Sequence, residues 1–298
     1  MTVGLIDVDG HNFPNLALMK ISAWHKSQGD SVEWHCALKH YDRVYMSRVF
    51  DDTYSSDYEF CINADEIVRG GTGYDLKNKL PDAIEHTCPD YSIYPNLTRD
   101  TEYGFLTRGC PRGCKFCVVA EKEGHCSKQV ADLSEFWRGK KNIKLLDPNL
   151  LACRDHEQLL QQLANSRAYV DFTQGLDIRC INSDNIELLN QIRVKEIHFA
   201  WDNPKDDLEK YFMRYKSKAK HKPHGHFGTV YCLTNFGSTH EEDLYRINAL
   251  CDWGFDPYVM IYDKPNAPRE TRMLQRWCNN KIIFRSEPDF EKYDPKRG

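Results

Sequence analysis

Short apolar runs and one amphipathic stretch alternate over the first part of the chain. The apolar run VGLIDVD ends in turn residues, which predicts a buried strand. Apolar residues then recur at helical spacing from Leu16 to Trp24, and Gly29 predicts the end of this helix. Further extended elements are predicted in SVEWHCAL, DRVYMSRVF and EFCINADEIVRGGTGYDL. Because strand, helix and strand follow one another, residues 1–85 are expected to form a small Rossmann-like α/β domain.

The next segment has a different composition. The stretch LPDAIEHTCPDYSIYPNLTRD contains three prolines and many polar residues. This composition is typical of a segment between domains. We therefore expect residues 86–100 to form a linker.

A strand-then-helix pattern repeats from residue 101 onward. Strands are predicted in YGFLTRG, NIKLLD, YVDFTQG, EIHFAWD, GTVYCLT and DPYVMIYD, with a last strand in KIIFRS. Helices are predicted near 131–139, 155–166, 183–193, 206–218, 241–253 and 269–279. Six β/α units predict a partial (β/α)6 TIM-like barrel, open because eight units are not found, within a domain over residues 101–298 that includes a C-terminal extension. Functional residues should then gather at the carboxyl ends of the strands.

The composition and the charge of the chain limit the classes of protein to which it could belong. The 298 residues are 41% hydrophobic and 28% charged, with a formal net charge of −4. This charge gives no global attraction to nucleic acid or to anionic membranes. No apolar run approaches the roughly 20 residues of a membrane helix, and the N-terminus lacks a signal-peptide pattern. We expect a cytoplasmic protein without a membrane partner.

Three of the twelve cysteines are clustered. The segment RGCPRGCKFC spaces Cys110, Cys114 and Cys117 as C-x3-C-x2-C, directly after the first barrel strand. Thiolates bind iron–sulfur centres well, and three of them leave one iron of a cubane open for another ligand. The other nine are scattered, and a free cysteine is commonly a small buried hydrophobe.

Two other interpretations of these cysteines stay open. A structural zinc site needs four ligands, and His125 or Cys126 could supply the fourth. Cys126 could instead close the coordination of an electron-transfer cluster. The alternatives to an enzyme are thus a zinc-containing nucleic-acid-binding protein and a redox protein with a closed cluster.

The motif, with aromatic Phe116 before its last cysteine, resembles the signature of the radical S-adenosylmethionine (SAM) superfamily. The resemblance implies a [4Fe–4S] cluster whose open iron binds SAM. It also implies reductive cleavage of SAM to a 5′-deoxyadenosyl radical that abstracts hydrogen from a substrate. A reducing partner such as flavodoxin or ferredoxin would supply the electron.

The same resemblance implies SAM contacts at the ends of the later strands. Phe116 lies in the cysteine motif itself. The other candidates are polar residues that follow successive predicted strands: Asp147, Asn149, Gln174, Asp177, Arg179, Asp202 and Asn235. Each could instead be a helix cap or turn residue. The residues that act on the substrate are not predicted.

The first predicted domain carries a second resemblance. Asp9-Gly10-His11 resembles the start of the D-x-H-x-x-G motif of cobalamin-binding domains, with Pro14 in place of its last glycine. Ser47, Val49 and Gly70-Gly71 fall where that fold contacts the nucleotide tail. The stretch between Phe50 and Gly70 is shorter than in that family. We expect a degenerate domain kept for packing or substrate binding; bound cobalamin would instead imply methyl transfer.

One basic segment bears on the substrate. Residues 210–226 combine six lysines and arginines with histidines and tyrosines. Basic residues with interleaved aromatics could contact an RNA backbone and stack on bases. Such runs are more often a solvated helix face. RNA is therefore one candidate substrate, and the sequence does not identify another.

Overall fold

Twelve strands and nine α-helices form within residues 1–10 and 12–296, the part of the chain that this computed structural model describes. The strands are β1 (Thr2–Asp7), β2 (Ser31–Trp34), β3 (Tyr41–Ser47), β4 (Ala64–Gly70), β5 (Thr101–Gly104), β6 (Thr107–Arg108), β7 (Lys128–Gln129), β8 (Asn142–Leu145), β9 (Tyr169–Phe172), β10 (Arg193–Ala200), β11 (Thr229–Thr234) and β12 (Asp256–Ile261). The helices are α1 (Leu16–Ser27), α2 (Asp82–Glu85), α3 (Val119–Glu123), α4 (His156–Ser166), α5 (Ser183–Gln191), α6 (Glu209–Lys218), α7 (His240–Trp253), α8 (Arg269–Asn279) and α9 (Lys281–Ser286).

The smaller sheet has four parallel strands in the order β2-β1-β3-β4. Asn15 caps α1 by accepting a hydrogen bond from the Leu18 amide. Leu18 and Ile21 of this helix pack with Val3 and Leu5 of β1, which buries one face of the sheet. The connection from β3 to β4 contains no helix. The α/β class predicted for this region is confirmed.

The larger sheet has six parallel strands in the order β12-β11-β10-β9-β8-β5. Its strands are therefore neighbours in the order in which they occur along the chain. The helices α4 to α7 connect consecutive strands from β8 to β12. Since all six strands point the same way, their carboxyl ends meet at one edge. The α/β class is confirmed here as well.

The two faces of the larger sheet differ in polarity because strand side chains alternate. One face is apolar and packs with the helices through Ile143, Leu145, Val170, Phe172, Ile197, Phe199, Val230 and Cys232. The other face carries polar and aromatic side chains, among them Lys144, Asp171, His198 and Tyr231. We call this second surface the polar face. It is where Lys144 of β8 pairs with Asp171 of β9.

The predicted linker is a packed segment. The Tyr91 hydroxyl donates to the carbonyl oxygens of Tyr103 and Phe136, at 3.0 and 2.8 Å. Asp90 accepts from Lys26 of α1 at 2.6 Å, and Thr98 is buried. Residues 86–100 therefore contact both the smaller sheet's helix and the larger sheet.

Two predicted elements are wrong. KIIFRS forms helix α9 instead of a strand, because Asn280 caps its first amides and Phe284 packs on Trp277 at 4.6 Å between ring centroids. The helix predicted near 131–139 is a single 3-10 turn, Leu133–Glu135. Phe136 turns toward Gly104, where an added Cβ would lie 2.3 Å from its ring. Phe136 itself leaves the helical conformation, at φ −127° and ψ −17°, so the turn ends there.

Arg246 of α7 joins the carboxyl ends of β10 and β11. Its guanidinium is fully buried and donates to the carbonyl oxygens of Trp201, Asp202 and Leu233 at 2.6 to 2.8 Å. It also pairs with buried Asp243. This one side chain satisfies several groups that water does not reach.

We expect Arg246→Ala to lower the free energy of unfolding by about 3–5 kcal/mol, since it leaves a buried carboxylate without its partner. Urea denaturation followed by circular dichroism measures the change. The matched control is Arg285→Ala on the exposed surface of α9, which should change stability by less than about 0.5 kcal/mol. Equal effects of the two substitutions would contradict this role for Arg246.

Candidate functional site

The three clustered cysteines lie on a loop between β6 and α3, which we call the cysteine loop (residues 109–118). The loop folds back on residues 124–126. The Cys110 amide donates to the Gly124 carbonyl at 3.1 Å. Gly109 has a φ of +85°, and a Cβ there would lie 2.3 Å from the Cys126 carbonyl oxygen. Only glycine fits this position. The glycine of the sequence RGC therefore determines the backbone conformation at the start of the loop.

The thiols of the cysteine loop differ in exposure. Cys110 and Cys114 are half-buried, Cys117 is exposed, and all twelve cysteines of the chain are free thiols. Burial raises the pKa of the Cys114 thiol, the nearby Asp202 carboxylate raises it further, and Arg179 opposes both. The structure therefore brings Asp202 and Arg179 within electrostatic range of the loop.

The spacing of these thiols bears on the kind of centre that they could hold. Within the described residues, the ligand atoms of three histidine, cysteine or acidic side chains lie within 4.8 Å of one another only for Asp171, Glu196 and His198. At least one pair of the three thiol sulfurs is therefore farther apart than 4.8 Å. Tetrahedral zinc with Zn–S bonds of ~2.3 Å would need sulfurs ~3.8 Å apart. In the side-chain conformations of the described residues, the three thiols are not gathered around a single point.

Asn149 and Asp177 lie beside the cysteine loop. The Asn149 amide nitrogen is 3.4 Å from the Cys110 sulfur and 3.4 Å from an Asp177 oxygen. Asn149 is only 3% exposed, and its amide oxygen has no hydrogen-bond partner among the described residues. Leaving a buried polar atom unsatisfied costs about 1–3 kcal/mol. A bound molecule with a donor at this position would remove that cost.

Asp177 connects the cysteine loop to the loop after β9. Its carboxylate pairs with Arg179 at 2.8 Å and with Arg112 of the cysteine loop. Burial acts to raise the pKa of Asp177, but the two guanidinium groups hold it below its usual value. Arg179 also pairs with Asp206 at 3.0 Å. Asp177 and Arg179 are thus brought together, as the sequence predicts.

Aromatic side chains connect the cysteine loop to the other end of the sheet. The rings of Phe116 and Phe236 contact edge to face at 5.5 Å, and Phe236 contacts Tyr262 at 4.7 Å. Asn235, with a φ of +62°, donates to the Tyr262 carbonyl at 2.8 Å. The predicted residues Phe116 and Asn235 therefore meet in one group, formed with the loops after β11 and β12.

The remaining residues that the sequence predicts as SAM contacts, namely Asp202, Gln174 and Asp147, differ from one another in burial and in hydrogen bonding. Burial raises the pKa of Asp202 to about 6, although Arg246 and Arg179 oppose this effect. Gln174 is exposed in the turn after β9. Asp147 is 4% exposed, and its carboxylate accepts from the amides of Leu106 and Thr107 and from the Thr107 hydroxyl.

This placement does not support the predicted contact of Asp147 with a cofactor. Burial raises the pKa of Asp147 to about 6, and its hydrogen bonds oppose that effect. The bonds connect the end of β8 to the turn that precedes the cysteine loop. Asp147 is therefore a positioning residue for the loop.

Some polar residues of the site are not predicted from the sequence. Arg112 lies inside the cysteine motif, and its charge alone gave no indication that it pairs with Asp177. Lys144, Asp171, Glu196 and His198 lie on the polar face. Their alternation with the buried residues of β8, β9 and β10 is the signal that could have identified them.

The region that resembles a cobalamin-binding domain fits that cofactor poorly. His11 lies outside the described residues. One Asp9 oxygen is buried and has no hydrogen-bond partner among the described residues, whereas the other accepts from the Val49 amide. However, Ser47 is buried and accepts from Asn15 at 2.8 Å, and a Cβ at Gly71 would lie 2.2 Å from the Arg48 carbonyl oxygen. The serine and the glycine thus serve packing, and the described residues at these positions do not fit contacts to cobalamin.

The basic segment 210–226 lies mainly away from the cysteine loop. Helix α6 packs its Phe212 and Tyr215 against the apolar face of the larger sheet, with its basic side chains outward. The segment then leads to the amino end of β11, at the edge opposite the cysteine loop. This placement does not favour RNA binding at the site.

Searches of family models and of curated proteins with this sequence found no match. Spanning a membrane would take a longer and more apolar helix than any formed by the described residues. The assignment of function therefore depends on the chemistry of the site.

We expect Asp147→Ala to lower the free energy of unfolding by about 1–3 kcal/mol, because it leaves the amides of Leu106 and Thr107 without an acceptor. Chemical denaturation measures this change. Asp207→Ala, at an exposed position before α6, is the matched control and should have little effect. A wild-type stability for Asp147→Ala would show that the turn does not depend on these bonds.

Proposed function

We propose that this chain is a radical SAM enzyme in which Cys110, Cys114 and Cys117 hold a [4Fe–4S] cluster. The observation that carries the proposal is the set of three free thiols on one loop at the carboxyl edge of a parallel sheet. All three cysteines lie on one short loop in the spacing C-x3-C-x2-C, and thiolates are the ligands that hold iron–sulfur clusters. A three-thiol set leaves one iron open for SAM.

The shape of the larger sheet supports this proposal. Its strands are paired in chain order, as in a β/α barrel. In a flat sheet β5 and β11 would lie about 19 Å apart, four spacings of about 4.8 Å. The contact between Phe116, in the loop that follows β5 and β6, and Phe236, after β11, favours a curved sheet. We propose that the sheet is a partial barrel whose inner surface is the polar face.

The proposed residue roles follow from their positions. When bound together, the cluster and SAM supply a hydrogen-abstracting radical, with one electron from a reducing partner such as flavodoxin or ferredoxin. Asn149, Asp177 and Arg179 offer an amide, a carboxylate and a guanidinium beside Cys110, which suits the amino and carboxylate groups of SAM. Phe236 and Tyr262 offer aromatic surface for adenine.

A closed cluster with Cys126 as fourth ligand is a second candidate. The Cys126 carbonyl oxygen lies against Gly109, so this residue is adjacent to the cysteine loop. Such a cluster would transfer electrons without binding SAM. The two candidates differ in what Cys126 does, and experiment can separate them.

We expect Cys110→Ser, Cys114→Ser and Cys117→Ser each to abolish SAM cleavage by the anaerobically reconstituted protein and to lower its iron content from about four per chain. Iron analysis and detection of 5′-deoxyadenosine measure these effects. Cys126→Ser is the control, and its cluster and activity should persist. Loss of the cluster in Cys126→Ser would favour the closed-cluster candidate, and full activity of any loop variant would refute the assignment.

Asn149→Ala should weaken SAM binding about tenfold, since one hydrogen bond to a charged group contributes about 1.5–3 kcal/mol. The change in the electron paramagnetic resonance signal of the reduced cluster, followed as SAM is added, measures this affinity. Asn165→Ala, on the exposed surface of α4, is the control. An unchanged titration for Asn149→Ala would remove this residue from the SAM site.

A further inference from the structure

A group of charged side chains occupies the polar face on three neighbouring strands. We call Lys144, Asp171, Glu196 and His198 the sheet-face cluster. Lys144 and Asp171 form an ion pair at 3.1 Å, and His198 Nε2 lies 3.5 Å from a Glu196 oxygen. The ligand atoms of Asp171, Glu196 and His198 lie within 4.8 Å of one another. Neither SAM nor the iron–sulfur cluster accounts for these residues in the proposed function.

The charges of the sheet-face cluster do not balance. Burial lowers the pKa of His198, although the carboxylates of Asp171 and Glu196 oppose this effect, so the ring is neutral at pH 7. Lys144 neutralises Asp171. The nitrogen atoms that lie close to Glu196 among the described residues belong to the His198 and His226 rings, at 3.5 and 3.8 Å. Within residues 1–10 and 12–296, no lysine or arginine forms an ion pair with Glu196, and its side chain is 31% exposed.

The surroundings of Glu196 suit an organic group better than a metal ion. The His198 ring stacks on Tyr231 with 5.2 Å between centroids, and Tyr231 contacts Tyr258 edge to face at 5.8 Å. Tyr258 is 38% exposed, which leaves aromatic surface open next to the carboxylate. A metal ion on Asp171 would meet the Lys144 ammonium, which already lies 3.1 Å away. That distance joins Lys144 Nζ to an Asp171 oxygen, so an ion bound to this carboxylate would lie close to a second cation, and like charges repel.

We propose that the sheet-face cluster binds a cationic nitrogen of the substrate, either a primary amine or a guanidinium. Glu196 pairs with the cation, and the aromatic surface of Tyr231 and Tyr258 contacts it by cation–π interaction. His198 Nδ1, which is buried without a partner among the described residues, accepts one of its N–H groups. As a statement about the substrate, this inference rests on the proposed function.

The test is isothermal titration calorimetry of the 298-residue chain at pH 7 with butylamine and butylguanidine. Butanol is the neutral probe of matched length. The cation that binds more tightly identifies the nitrogen group of the substrate. Glu196→Gln, which removes only the charge, should weaken cation binding by about tenfold or more. Tyr258→Leu should weaken it by a smaller factor. Glu209→Gln, on the exposed side of α6, is the matched control and should bind like the wild type.

Several results would overturn the inference. The first is that butanol binds as tightly as the two cations. The second is that the wild type binds neither cation. The third is that Glu196→Gln binds the cations as tightly as the wild type does. The cluster would instead be assigned to a metal if the wild type bound manganese but neither organic cation, and if Glu196→Gln abolished the manganese binding. The readout requires neither iron nor SAM. Cation binding without SAM cleavage would therefore refute only the proposed function, and SAM cleavage without cation binding would refute only this inference.

Discussion

Parallel pairing of six strands is the constraint on which the arrangement of this molecule depends. Each connection must return along the helices to the amino edge, so the residues that follow each strand collect at the carboxyl edge. Asn149, Asp177, Asp202 and Phe236 follow four different strands and lie near one loop for this reason. The cysteine loop can therefore lie close to these residues although it is short.

The site is held by polar groups that are themselves buried. Asp147 connects the end of β8 to the turn before the cysteine loop, and Arg246 connects the ends of β10 and β11. Each makes several hydrogen bonds to backbone groups, so the edge is fixed by main-chain positions as well as by side-chain packing. Such support limits the movement of the residues that would contact a small molecule.

The sequence predicts the elements of this fold well where local and long-range preferences agree. The apolar runs of β8 to β12 and the amphipathic helices between them lie close to where periodicity predicts them. KIIFRS reads as a strand because Ile282, Ile283 and Phe284 favour one, but the Asn280 cap and packing on Trp277 produce a helix. Packing of this kind depends on residues that local patterns do not include.

The same distinction between local patterns and long-range packing applies to the residues of the candidate site. The cysteine spacing identifies the loop, and the strand ends identify Asp177 and Arg179, because both signals are local. The polar face is a property of three strands together, since Lys144, Asp171 and His198 lie far apart along the chain. Asp147 follows a strand, as its place in the sequence predicts, but its carboxylate bonds to the amides of Leu106 and Thr107, which the local pattern does not indicate.

The contact between the two sheets has a consequence for how the chain folds. Leu16 and Met19 of α1 are buried with Leu146, which follows the larger sheet's β8, and Tyr91, Tyr94 and Phe105 pack on them. The Tyr94 hydroxyl also bonds Asp7 at the end of β1. Neither sheet can lose its partner without exposing this apolar surface to water. The two parts of the chain, distinct in sequence pattern, therefore share one part of their folding free energy.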